Sequence, residues 1–268
     1  MYKIYCISDH TGLTSESFAK TLLSQFKDLR YRFETIPFVD SLKKAQTLSN
    51  KLAKESEEDK VIVFSSIVDP NLREVFLNKP FEYIDLFATF LKRLESHFGQ
   101  TALRETGRVH GMKDINRYMH RIEAIDFAVQ HDDGLKTEHY EKADVILTGV
   151  SRAGKTPTSL YLAIQYGIRA ANYPLTEEDL QHEGLPACLS KHRKKLFGLM
   201  INPERLSEIR QERLPGSQYA NIQQCRKELH KVAQYFEQDG VPYLDTTSLS
   251  IEEIATNIIT AMQLEKRF

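Results

Sequence analysis

The chain has 268 residues, 41% hydrophobic and 27% charged, with a formal net charge of −1 and a pI near 6.8. That length can bury one large core or two modest ones. The near-neutral balance excludes the electrostatic footprint of a protein whose main partner is DNA, RNA or an anionic membrane. Cys6, Cys188 and Cys225 have neither metal-site nor disulfide-framework spacing. With no signal-like N-terminus and no apolar run of membrane-spanning length, the expectation is a soluble, cytoplasmic protein.

The first third alternates between two periodicities. Residues 2–7 read as a buried strand, 14–26 as an amphipathic helix, 31–38 as a strand and 41–54 as a helix. A short β-rich run follows at 61–65, then helices at about 71–77 and at 87–98. This order predicts βαβ units and a parallel, doubly wound sheet. The polar stretch 99–107, with two glycines and no period, marks a boundary. The expected organisation is an N-terminal Rossmann-like parallel-sheet domain over 1–100 and a C-terminal P-loop-containing α/β domain over 107–268.

Beyond the boundary, 114–129 has helical spacing and ends at His131-Asp132-Asp133-Gly134. Strands are expected at 145–147, 168–173, 196–201 and 241–244, the second closed by Pro174. Helices are expected at 204–213, 218–238 and 250–264, the last opened by a Ser250/Glu253 capping box.

The strongest motif lies between the strand at 145–147 and a helical run. Gly149-Val150-Ser151-Arg152-Ala153-Gly154-Lys155-Thr156 satisfies G-x-x-x-x-G-K-[ST] without a mismatch. Glycines let consecutive N–H groups curl toward an anion, and the following helix adds its positive end. Lys155 is placed to reach the terminal phosphate and Thr156 to ligate Mg²⁺. Arg152 reads either as a cis-acting arginine finger or as a solvated loop residue.

Other candidates stay open. Asp9 and Asp245 each end an apolar strand, as a metal-supporting acid would, or simply cap a turn. Asp132 and Asp133 could take a proton or share Mg²⁺, or merely end a helix. Ser8–Gly12 follows the first strand, where α/β sheets bind ligands, or is a capped turn. Residues 191–195, Lys-His-Arg-Lys-Lys, are a solvated basic loop or a docking patch. Arg210 and Arg213 share a helix face, as surface charge or as a phosphate receiver.

"GVSRAGKTPTSLYLA" followed by "YGIRAANYPL" resembles the bifunctional regulatory proteins of phosphoenolpyruvate synthase and pyruvate, phosphate dikinase. "ISDHTGLTSE", "RIEAIDFAVQHDDG", "GLMINPERLSEIRQER" and "YLDTTSLSIEEIA" extend the resemblance over nearly the whole chain. Ser15 stands where the family's pattern commonly has Ala. "SRAGKTPTSLYLA" and "TIPFVD" look closer to the phosphoenolpyruvate synthase branch, with the dikinase as the alternative target. The resemblance implies ADP-dependent phosphorylation of an active-site threonine of the target, which inactivates it. It also implies reactivation by inorganic phosphate with release of pyrophosphate, by a two-domain homodimer. Loop residues 149–156 would then hold the diphosphate, Lys155 and Arg152 would stabilise transferred charge, and Asp132 or Asp133 would be the base. The rival enzyme class is an ATP-dependent small-molecule P-loop kinase; a nucleotide-sensing module is the non-enzymatic alternative.

Overall fold

A computed structural model describes residues 1–104 and 115–267. The chain divides into two compact units, Met1–Lys113 and Asp114–Phe268. The boundary stretch 99–107 lies partly outside the described residues.

In the first unit, β1 (Tyr2–Ile7), α1 (Leu13–Leu23), β2 (Tyr31–Ile36), α2 (Leu42–Glu55), β3 (Lys60–Ser65), α3 (Pro70–Glu74), β4 (Glu82–Asp85) and α4 (Leu86–Phe98) follow in order. The strands form one parallel sheet, β2-β1-β3-β4. Alternation along β1 supplies both faces. Tyr5 and Ile7 join one buried cluster with Leu48, Leu52 and Phe76, while Ile4 and Cys6 join another with Ala19 and Leu86. β4 was absent from the sequence reading because four residues flanked by carboxylates carry too little apolar pattern. Its last residue, Asp85, also caps α4 by accepting from the Ala88 N–H at 2.7 Å.

The second unit opens with α5 (Ile115–Gln130), then a 3-10 turn over Thr137–Lys142. It continues with β5 (Val145–Val150), α6 (Lys155–Tyr166), β6 (Ala170–Leu175), α7 (Ala187–Ser190) and β7 (Leu196–Met200). α8 (Pro203–Arg213), α9 (Ile222–Asp239), β8 (Tyr243–Asp245) and α10 (Ile251–Met262) complete it. Its parallel sheet, β6-β5-β7-β8, repeats the order of the first. β5 is buried along its whole length, as expected of a parallel strand covered on both faces. The chain leaves β5 toward β6 on one side and returns to β7 on the other. The carboxyl ends of β5 and β7 are therefore the switch point of the sheet, where such folds open a crevice.

Two elements depart from expectation. Pro174 does not close its strand but lies within β6 opposite Gly149; β6 is an edge strand, one side of which makes no ladder bonds. The helix expected over 218–238 is split, with a 3-10 turn at Gln218–Ala220 and Asn221 capping α9 through the Gln223 N–H at 2.8 Å. The α10 capping box forms as read, with Ser250 N–H donating to Glu253 at 2.8 Å.

Candidate functional site

The end of β5 and the loop after it are shaped by three residues at positive φ: Gly149 at φ 142°, Arg152 at φ 79° and Gly154 at φ 87°. A Cβ on Gly149 would run into the Leu199 carbonyl of β7, so only glycine lets the two strands approach there. Arg152 is the exception, since a left-handed L-residue costs roughly 1–2 kcal/mol. α6 begins at Lys155, and the Thr158 N–H and hydroxyl both bond the Gly154 carbonyl, at 3.2 and 2.8 Å. The Ala153 carbonyl accepts from Thr246 at 3.3 Å, tying the loop to the turn after β8.

Lys155 is folded into the loop. It is 4% exposed, and its ammonium donates to the Val150 carbonyl at 2.8 Å. Burial pulls its pKa from 10.5 down to about 7, against the upward pull of Asp133 and Asp132; Arg210 and Arg152 add to the lowering. A bound anion would relieve that cost, so this lysine is poised for one.

Three side chains from three elements meet beside it. The Thr156 hydroxyl donates to Asp132 at 2.9 Å, and Asn172 Nδ2 donates to Asp132 Oδ1 at 2.5 Å and to Thr156 Oγ1 at 3.0 Å. Asn172 is 1% exposed, and its Oδ1 finds no partner among the described residues. Its backbone holds the turn as well: Asn172 N–H donates to the His131 carbonyl at 2.9 Å, and Gly134 N–H to the Asn172 carbonyl at 2.8 Å. The edge of β6 thus delivers the His131–Gly134 turn to the loop. Asp132 faces Thr156, while Asp133 is exposed in the same turn at φ 49°.

The far side of the loop is braced by α8 and α9. Arg210, read from sequence as surface charge or a phosphate receiver, is 1% exposed. It pairs with Glu228 at 2.8 Å, donates to the Tyr219 carbonyl at 2.9 Å and to the Ser151 carbonyl at 3.3 Å, and stacks on the Tyr219 ring. Tyr219 in turn donates to Ser151 Oγ at 3.0 Å. Burial of Arg210 is possible because Glu228 lies opposite it across the α8–α9 interface. Arg213 stays exposed.

The remaining candidates make contacts away from this cluster. Asp245 accepts from Thr247 N–H at 2.9 Å and braces the turn after β8. Asp9 belongs to the first unit, where it accepts from the Val68 N–H at 2.8 Å. In the Ser8–Gly12 loop, Ser8 Oγ accepts from the His10 N–H at 3.1 Å and Gly12 opens α1 in a left-handed conformation. Within the basic run, Lys195 donates to the Glu141 and Ala143 carbonyls and Arg193 pairs with Asp239. Asn172 was missed by the sequence reading, although a lone amide in an apolar strand is a signal in itself. Tyr219 carried no such signal.

Among the described residues no three or more His, Cys, Asp and Glu side chains cluster as a metal cage, and no helix is long and apolar enough to cross a membrane. Magnesium needs no such cage, because it keeps waters and takes one or two oxygen ligands from protein beside phosphate oxygens. Thr156 and Asp132 supply oxygen ligands of the kind it takes.

A family model for kinase/pyrophosphorylase matches residues 4–259. A Laribacter hongkongensis protein named "Putative phosphoenolpyruvate synthase regulatory protein" is 46% identical, over 98% of this chain and 97% of its own length. Proteins of the same name from Marinobacter nauticus and Pseudomonas savastanoi pv. phaseolicola are 44% and 43% identical, each over 98% of this chain and over 97% and 98% of their own lengths. The chain belongs to the kinase/pyrophosphorylase family.

Proposed function

We propose that this member of the kinase/pyrophosphorylase family regulates phosphoenolpyruvate synthase by reversible phosphorylation of a threonine in the target's active site. ADP is the donor in the inactivating direction, and inorganic phosphate is the acceptor in the reactivating one. The relatives' shared name supports the target. The observation that carries the chemistry is the convergence of Lys155, Thr156 and Asp132 on one anion-shaped loop. In this reading the second unit is the P-loop catalytic domain and the first a Rossmann-like domain, and the enzyme works as a homodimer.

In the forward reaction the threonine oxygen bonds the β-phosphorus of ADP, the bond to the α-phosphate oxygen breaks, and AMP leaves. The hydroxyl proton passes to a carboxylate of the His131–Gly134 turn. In the return reaction a phosphate oxygen attacks the phosphothreonine, pyrophosphate forms and the threonine oxygen regains its proton. Both directions move one phosphoryl group between threonine and a phosphate oxygen, so one cradle serves both.

Loop N–H groups of residues 149–156 bind the diphosphate, and Lys155 and Arg152 offset charge on the moving group. Thr156 would hold Mg²⁺ with Asp132 behind it, and the ion would neutralise phosphate charge. Asp132 already accepts from two donors, which leaves the exposed Asp133 as the proton acceptor.

The reading is tested with purified phosphoenolpyruvate synthase. Incubation with the chain and ADP should abolish synthase activity, and added phosphate should restore it with stoichiometric pyrophosphate. Unchanged synthase activity, alongside loss of activity in a parallel dikinase sample, would move the target to the dikinase.

A further inference from the structure

Ser151 is held twice, and both holders come from the α8–α9 side of the unit. Its carbonyl accepts from Arg210 at 3.3 Å and its hydroxyl from Tyr219 at 3.0 Å. The holders are themselves locked together. The Arg210 guanidinium carbon lies 4.0 Å from the Tyr219 ring centroid, and Arg210 Nη1 bonds the Tyr219 carbonyl at 2.9 Å. Glu228 on α9 fixes the other fork of the guanidinium at 2.8 Å. A planar guanidinium can satisfy all of these at once, which a lysine ammonium cannot.

The consequence follows from the peptide unit. The Ser151 carbonyl and the Arg152 N–H belong to one trans peptide and point in opposite directions. A carbonyl tethered toward Arg210 therefore turns the Arg152 N–H away from Arg210. Arg152 sits at φ 79°, where an L-residue relaxes unless its neighbours hold it. A serine hydroxyl that accepts from Tyr219 also keeps its own proton to donate.

We propose that Arg210 and Tyr219 are positioning residues that act through Ser151. They aim the Arg152 N–H, and with it the Ser151 hydroxyl, at the bound diphosphate. The loop's affinity is thereby set from the α8–α9 pair rather than by the loop sequence alone. The inference rests on the reading of residues 149–156 as a diphosphate cradle, but not on the choice of donor or target.

The test uses the full chain and its Tyr219→Phe, Ser151→Ala and doubly substituted variants. Calorimetric titration is run with ADP and, separately, with inorganic pyrophosphate. Each single variant should weaken binding about three- to tenfold, the worth of one hydrogen bond. The double variant should be no weaker than Ser151→Ala, because Tyr219 acts only through the Ser151 hydroxyl that this substitution already removes. Melting temperatures within about 2 °C of the parent should accompany these losses, which separates aim from stability. Parental affinity in Tyr219→Phe, or a double variant whose loss is the product of the two, would overturn the proposal. Should the parent bind pyrophosphate but not ADP, the ADP reading fails and the clamp is judged on pyrophosphate. Should the parent bind neither, the cradle reading fails and the proposal with it.

Discussion

Thr156 and Asp132 stand 24 positions apart in the chain and meet through a 2.9 Å hydrogen bond. Asn172, donating to both, completes a three-element contact at the mouth of the loop. This arrangement separates the two adjacent carboxylates of the turn. Asp132 supports the group that would sit on Thr156, and Asp133 is left in solvent. Asp132→Asn is therefore expected to raise the Mg²⁺ concentration for half-maximal phosphorylation about tenfold or more. Asp133→Asn should lower kcat by about 10²–10⁴-fold with that concentration unchanged. Initial rates over a Mg²⁺ titration check both, and the opposite pattern would exchange the roles.

Lys155 links binding to pH. Its pKa in the folded protein is about 7 against an ordinary 10.5, so the free protein at pH 8 holds mostly the neutral amine. A diphosphate favours the ammonium, so ADP binding at pH 8 should take up close to one proton per site. Affinity should fall as pH rises above 7. Folding has the opposite sign: the cost of burying the charge is present below pH 7 and lifts between 7 and 10.5, so stability rises with pH across that window. Calorimetry in two buffers of different ionisation enthalpy measures the uptake, which Lys155→Met should abolish.

The Arg210–Glu228 pair makes a prediction about stability. Arg210→Met leaves the Glu228 carboxylate buried without its partner and should destabilise the second unit by about 3–5 kcal/mol. Adding Glu228→Leu should recover most of that loss, since an apolar pair of similar volume needs no counter-ion. Urea denaturation of both variants decides it, and a double variant no more stable than Arg210→Met would contradict the assignment.

Two glycines of the loop should respond unequally. Gly149→Ala drives a Cβ into the Leu199 carbonyl and should cost more than about 2 kcal/mol. Gly154→Ala meets open space and pays only for its φ of 87°, about 1–2 kcal/mol. Denaturation midpoints of the two variants provide the comparison.

Much of this was legible in the sequence, and the reasons are local. The loop motif depends on glycines at fixed spacing between a strand and a helix, all of which lie within one short stretch. Strand and helix alternation is likewise carried by neighbouring residues. What was not legible depends on distant partners. Arg210 lies in Ser-Glu-Ile-Arg-Gln-Glu-Arg, which reads as a solvated helix face; its burial depends on Glu228 and Tyr219 from later elements. The turn at His131–Gly134 reads as a helix end, and it becomes part of the site only because the edge of β6 binds it through Asn172. β4 escaped notice because its four residues are placed by pairing with β3 rather than by their own pattern.

The proposed function requires that ADP, and not ATP, supply the phosphoryl group. It is tested by incubating the chain and purified phosphoenolpyruvate synthase with either β-labelled ADP or γ-labelled ATP, then locating the label. Label is expected on the synthase threonine from ADP, with an equal amount of AMP, and none from ATP. Label arriving from ATP alone would contradict it.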